Sequence, residues 1–523
     1  MKKTTIVLLA TLCALSAQAV EVAGGTGGES KRAIIPKDAW QDIVLAPRTD
    51  NPSGLAYFNA NGATVKSLTT TATPNAWNVA FTMTIDTRAT GSDAVDALVN
   101  NGGAMVWNFS SKYTLKIENT AGTESTANVK LGNFTAMTNG SSENGTIDIA
   151  TKANVSGTSF KTQTGMLTLK ISNNANVDWQ LTGISTIDNR SIVDVTSGSA
   201  LNAKSQFTFK SGATYNVGGT ATHSNTTLTL EGGSTLNVLN GGTLKLENTA
   251  GTFAGTNNIA GTLDYTSTQS RNLTLNNAAI SGKLITSIGN AQGLGNAQVI
   301  FTGTDNVIRD GGQVDSIGAL RLNNGSKLTI ESTAGTINLK KIKDSANIQY
   351  YGRILFGGGG ELVLNKKDAF VTDNTLGLCQ LTVIGGTNAN TLRLNADNKF
   401  EQLYFQSDSI LNIVLGDGVK MNIDNIAGAA TNATIFIENF AEDSVFFNKN
   451  DWFADTKFDI SVSDGSKTYT KDQLKLVEVE GGYGNYALTV VPEPAEYAAI
   501  LGAIAIAFAL KRKAAALTAK RGK

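Results

Sequence analysis

One histidine, two cysteines and six prolines in 523 residues leave little room for several kinds of chemistry. With His223 as the only imidazole, a Ser-His-Asp or Cys-His arrangement has a single candidate base, and an ordinary zinc site lacks ligands. No catalytic residue, metal ligand or cofactor-binding residue is therefore assigned. His223 lies in "GGTATHSNTTLTL", a turn-like stretch, and is expected to be an exposed turn residue. Cys379, in "LGLCQLTVIGG", reads as a small core side chain rather than a nucleophile. Charge is sparse too: Asp, Glu, Lys and Arg make up 16% of the chain, against about 25% for an average soluble protein. Their exact cancellation, 43 basic against 43 acidic, argues against a nucleic-acid partner. The run Gly357–Gly360 has no Lys-Ser/Thr after it, so it is a chain corner and not a phosphate loop.

What remains is a hydrophobic fraction of 41%, with 54 glycines and a polar complement drawn from Thr, Asn and Ser. That is enough apolar material to bury a large core, in a composition typical of uncharged, β-rich, extracellular chains. Residues 1–19 read as a secretory signal helix: Lys2 and Lys3, an apolar stretch from Ile6 to Leu15, and the small-x-small site Ala17-Gln18-Ala19, with cleavage after Ala19. Cys13 leaves with it, its flank failing the small-residue pattern of lipoprotein processing. The mature chain then holds Cys379 alone and can form no internal disulfide. At the other end, Pro492-Glu493-Pro494 precedes an apolar run from Tyr497 to Leu510, closed by Lys511-Arg512-Lys513. Fourteen helical residues at ~1.5 Å each cover about 21 Å of a ~30 Å hydrocarbon core. The run is thus a short transmembrane helix that spans with the help of snorkelling cations, its basic end in the cytoplasm.

These three parts in this order resemble the PEP-CTERM sorting signal, also catalogued as the ice-binding protein C-terminal domain. The resemblance covers about the last thirty residues. It implies an exported product of a Gram-negative, exopolysaccharide-making bacterium, held transiently in the inner membrane through residues 497–510 and handed to a membrane protease of the exosortase type. The second catalogue name carries no evidence of ice binding, since the tail is a sorting element found on unrelated bodies.

Between the two signals, residues 20–54 read as a lead segment: flexible over 20–32, with a helical turn or two in 36–54. Residues 55–190 form a β-rich region, either the first coils of a solenoid or a β-sandwich, with "SDAVDALVNNGG" (92–103) as a helix between Ser92 as cap and Gly102 as stop. From 191 to 430 the chain becomes repetitive. Units of Gly, a polar residue and alternating Leu, Ile or Val begin at Gly198, Gly212, Gly233, Gly242, Gly261 and Gly282, and recur at Gly325, Gly360, Ser409 and Gly418. The spacing fits a coil of roughly 20 residues with three short strands and glycine corners. The expected fold is all-β, a parallel β-helix (β-solenoid), and its repeats resemble those of autotransporter and adhesin-like proteins, although an autotransporter ends in a membrane barrel. Residues 431–490 gather Phe436, Phe440, Phe446, Phe447, Trp452 and Phe453, read as a cap over the last coil and alternatively as an aromatic platform for sugar. The sorting signal occupies 491–513 and a basic tail 514–523.

Carboxylates offer the remaining catalytic possibility, because β-helix polysaccharide lyases and hydrolases work with acidic and basic side chains on one sheet. Two groups qualify: Asp305, Arg309, Asp310 and Asp315, and Asp188, Arg190 and Asp194. Glycoside hydrolysis requires two carboxyls about 5 to 9.5 Å apart, which spacing along the chain does not establish. The function expected is that of an exported cell-surface or extracellular-matrix solenoid with a structural or adhesive role, possible contacts to extracellular polysaccharide, and no catalysis. The alternative is a carbohydrate-active β-helix enzyme or a polysaccharide-binding protein. Without its two signals, the body from 20 to 490 carries 35 basic and 41 acidic residues, a net charge of −6. The apparent neutrality is a cancellation between an acidic body and basic targeting segments.

Overall fold

Alternation of Thr, Asn and Lys with Leu, Val and Phe produces short parallel strands with one buried and one outward edge. The computed structural model describes residues 19–27, 29–37, 40–71, 76–109, 112–122, 124–138, 144–163, 165–269, 271–288, 298–323, 325–343, 349–371, 380–428, 432–481, 483–491 and 501–513. The chain divides into two compact units, with the boundary between Gly318 and Ala319. Both are β-solenoids built from parallel strands.

In the first unit each coil visits three parallel sheets. The first sheet runs from Val20–Ala23 to Gln313–Ser316, the second from Ala33–Ile34 to Gln298–Thr302, and the third from Ala63–Val65 to Asn306–Ile308. Thr214 pairs with Thr235, and Thr235 with Thr256, two successive steps of 21 residues, as the glycine spacing predicts. At Gly242 a Cβ would lie 2.0 Å from the carbonyl oxygen of Val217, so the corner closes only around a glycine. Gly212 and Gly233 adopt φ of 79° and 84° at equivalent corners. Buried asparagines serve the same corners: the Asn257 amide donates to the carbonyls of Phe253, Gly255 and Asn276. Inside, aromatic rings stack from coil to coil. Phe134 and Phe160 lie 5.9 Å apart, Phe160 meets Trp179 edge-on at 5.3 Å, and Trp179 reaches Phe207 at 5.7 Å. All four are at most 1% exposed.

The same ladder covers residues 55–190, which settles the choice left open there in favour of solenoid coils: Thr126–Lys130 pairs in parallel with both Ala94–Asn100 and Ala153–Gly157. Several local expectations are corrected. The stretch 92–103 is no helix; Ala94–Asn100 is a strand with a register shift at Ala97, and Ala97, Leu98 and Val99 are buried in succession. Burial between two strands outweighs the helix preference of Ala and Leu. The helical turn expected in 36–54 is the strand Asp42–Ala46, and the lead segment is not uniformly flexible, because Val20–Ala23 pairs with that strand in parallel.

Two parallel sheets make up most of the second unit, beside the strand Ile337–Leu339 and the antiparallel pair Lys341–Lys343 with Gln349–Tyr351. One contains Ala319–Leu322, Arg353–Phe356, Gln380–Val383, Asn398–Phe405, Met421–Gly428 and Val445–Phe447; the other contains Lys327–Ile330, Glu361–Leu364, Asn390–Leu394, Ser409–Leu415, Ala433–Glu438 and Phe458–Ser463. Each ladder ends in antiparallel pairing. Phe458–Ser463 pairs with Thr468–Thr470, while Tyr486–Val490 pairs with both Val445–Phe447 and Leu474–Glu478. Among the described residues this reversal covers the last parallel edges, which would otherwise invite further pairing. Of the aromatic group, Phe440, Phe446, Phe447 and Trp452 are buried, and Phe436 and Phe453 are half-buried. Trp452 packs 4.8 Å from Phe447 and 6.3 Å from Phe458.

Cys13, Ala17, Cys379, Pro492, Glu493 and Pro494 lie outside the described residues, and Ala19 is exposed. Residues 501–513 are helical, with Leu501, Ile506, Phe508 and Leu510 each more than 60% exposed and Lys511, Arg512 and Lys513 at the end. Among the described residues no helix is long and apolar enough to cross a membrane.

Candidate functional site

The most ordered polar feature of the first unit is the outer face of its third sheet. Parallel pairing in constant register stacks equivalent residues of successive coils into columns about 4.8 Å apart. One column reads Thr114, Thr146, Thr168, Ile192, Thr214, Thr235 and Thr256. Two residues along each strand, about 6.6 Å away, a second column reads Lys116, Asp148, Lys170, Asp194, Asn216, Asn237 and Asn258. Its lower part alternates in charge and its upper part is an amide ladder. Asn237 Nδ2 donates to Asn216 Oδ1 and Asn258 Nδ2 to Asn237 Oδ1, both at 2.9 Å. Burial raises the Asp194 carboxyl above its ordinary value, and Lys170 pulls it back. The upper part of the face is a lattice of hydroxyls and amides, and the two Lys and two Asp of the lower part cancel in charge, so the face donates and accepts at regular intervals.

The second sheet adds a column of five threonines, Thr186, Thr208, Thr229, Thr252 and Thr274, on consecutive coils. These columns were the signal the glycine-centred reading of the sequence passed over. Thr214-x-Asn216, Thr235-x-Asn237 and Thr256-x-Asn258 recur every 21 residues in the sequence itself.

The two carboxylate groups do not converge. Asp188 follows the second-sheet strand Ser185–Ile187, exposed Arg190 sits at a turn with φ 62°, and Asp194 is in the third sheet. Asp305 and Asp310 flank the third-sheet strand Asn306–Ile308, where Arg309 pairs with Asp310 at 3.5 Å. Asp315 belongs to the first sheet, 3.8 Å from Lys283. Among the described residues no group of three or more His, Cys, Asp or Glu is placed to hold a metal ion.

His223 is the largest correction. It sits in the strand Thr220–Ser224, is 0% exposed, and faces the interior between Ala203 and Leu246 of the adjoining coils. Its Nε2 is 3.0 Å from the Tyr215 hydroxyl, and its ring meets Phe207 edge-on at 5.5 Å. Burial pushes the imidazole down to about 3 and the Tyr215 hydroxyl well above the usual phenol range. The alternation Ala221-x-His223 marked the inward position; the polarity of the side chain concealed it. At neutral pH this histidine is an uncharged core residue, closed off from solvent.

No family model, curated protein or solved structure matches the chain, so the functional reading rests on its own residues.

Proposed function

We propose that this is an exported β-solenoid of the cell surface or extracellular matrix, with a structural or adhesive role and no catalytic step. The Thr and Asn columns of the third sheet carry the proposal. They repeat one hydrogen-bonding pattern over successive coils, which suits a repetitive, hydroxyl-rich, uncharged partner such as an extracellular polysaccharide. A mildly acidic body disfavours nucleic acid in the same role. Scattered carboxylates support a scaffold in preference to a glycan-cleaving enzyme.

Delivery rests on the two ends. The strand Val20–Ala23 follows directly on the expected cleavage site at Ala19. The exposed apolar residues of 501–510 find no cover among the described residues, in keeping with a lipid environment before processing by an exosortase-type protease at the Pro492-Glu493-Pro494 signal. The test is replacement of Pro492, Glu493 and Pro494 by alanine in a Gram-negative host that carries such a protease. Full-length protein retained in the inner membrane is expected; unchanged processing and surface delivery would reject the sorting role.

A further inference from the structure

Trp40 is 40% exposed, whereas Trp77, Trp107, Trp179 and Trp452 are all at 3% or less. Its indole is nevertheless held in place. Nε1 donates to the carbonyl oxygen of Asp86 at 2.7 Å, and the Arg88 guanidinium lies 4.8 Å from the ring centroid. Arg88 has φ 44°, a region that side-chain-bearing residues adopt at a cost, and its Nε donates to Asp86 Oδ2 at 3.0 Å. The Asp86 side chain is 3% exposed and also accepts from the Thr120 backbone N–H at 3.0 Å and hydroxyl at 2.7 Å. A buried carboxylate and a left-handed arginine are thus committed to fixing one surface aromatic.

Trp40 borders an open groove of about 570 Å³, together with Asp42, Lys66, Thr87, Arg88 and Asp96. Thr87 is 6% exposed; its hydroxyl oxygen is buried beneath the groove surface and has no hydrogen-bond partner among the described residues. Charges in the groove cancel in pairs: Asp42 with Lys66 at 3.0 Å, Asp86 with Arg88 at 3.0 Å, and Asp96 with Lys130 at 3.2 Å. An anionic or cationic ligand would break these pairs, while a neutral one adds hydrogen bonds to them.

We infer that this groove binds a neutral pyranose unit, with the Trp40 indole against the apolar face of the sugar ring and Asp42 and Asp96 accepting from its hydroxyls. A fixed aromatic with convergent polar groups is the usual composition of a small-ligand site. The groove lies at the first-sheet strands that hold Asp42 and Asp96, so it stands or falls separately from the third-sheet columns.

The test titrates the full-length chain with maltotetraose, cellotetraose, mannotetraose and galactotetraose by calorimetry, with tryptophan emission in parallel because Trp40 is the exposed indole. Saturable heat and protection of emission from acrylamide are expected with at least one tetraose. Trp40→Ala should weaken that binding by about tenfold or more, and Trp40→Phe should restore most of it. Circular dichroism should be unchanged in both variants. Saturation by none of the four sugars, or native affinity in Trp40→Ala, would overturn the assignment.

Discussion

The two units use the same strand chemistry but present different outer surfaces. In the first, one register position of the third sheet carries threonine on six of seven consecutive coils. In the second, the column that starts at Lys327 continues through Glu361, Thr391, Asn412, Phe436 and Ser461, and its neighbour from Thr329 runs through Val363, Arg393, Val414, Glu438 and Ser463. Charges there pair locally, as Arg393 does with Glu361 at 3.2 Å, and outward Val363 and Val414 are largely covered. Leu, Ile, Val and Phe fill both interiors. Stacking uses apolar inward positions with glycine and asparagine corners in both units, and the first unit adds constancy of its outward positions. That difference is the ground for proposing the recognition surface in the first unit; the second ends its own two sheets in antiparallel pairs.

If the units are separate cooperative structures, damage to the core of one should stay there. Trp179→Ala removes the ring between Phe160 and Phe207 and is expected to destabilise the first unit by about 3 to 5 kcal/mol. Hydrogen exchange should quicken across 20–318 and remain unchanged across 319–491; equal acceleration in both would merge them into one cooperative unit.

Acid should separate the units too, since the only histidine belongs to the first. His223 stays neutral when folded down to about pH 3 and takes up a proton near pH 6.5 when unfolded. Its contribution to stability is complete above pH 6.5 and is lost as the pH falls toward 3, at a limiting slope of about 1.4 kcal/mol per pH unit. Denaturant midpoints of the first unit should follow this slope, and His223→Gln should flatten it. An unchanged profile in the variant would place the acid sensitivity elsewhere.

A smaller effect tests what the units share. Asn257 in the first and Asn390 in the second both bind corner backbone: the Asn257 amide donates to three carbonyls, and Asn390 Oδ1 accepts from the N–H groups of Gly359 and Gly360. Replacement of either by alanine leaves buried backbone groups unpaired and should cost about 1 to 3 kcal/mol in its own unit, read from thermal unfolding. A loss at only one would show that the corners are not built alike.

The legibility of this architecture follows from the distance over which each feature is encoded. The coils from Gly198 to Gly282 could be read because glycine corners and alternating strands recur within a single coil. Ala94–Asn100 could not, since its pairing with Ser67–Thr70 and Thr126–Lys130 is decided by segments about a coil away on either side. The same holds for the antiparallel ends of the second unit. His223 was missed because a lone polar residue on the inward register looks like a turn residue until Tyr215 is seen beside it. The Trp40 groove draws Trp40, Asp86, Arg88 and Thr120 from segments separated by tens of residues, and only coil stacking places them together. For the proposed sorting signal the order is reversed: the reading comes from sequence alone, and Pro492, Glu493 and Pro494 fall outside the described structure.

The central claim is that the repeated outer columns of the first unit bind extracellular polysaccharide. The triple variant Thr214→Val, Thr235→Val and Thr256→Val removes three hydroxyls, keeps the β-branched shape, and should alter stability by less than about 0.5 kcal/mol per site. On a polysaccharide array, the full-length native chain should bind at least one neutral polymer, and the triple variant should lose that binding by about tenfold or more. The substitution Thr391→Val in the second unit should leave it intact. Equal binding by the native chain and the triple variant, or no binding by the native chain to any polysaccharide, would contradict the account.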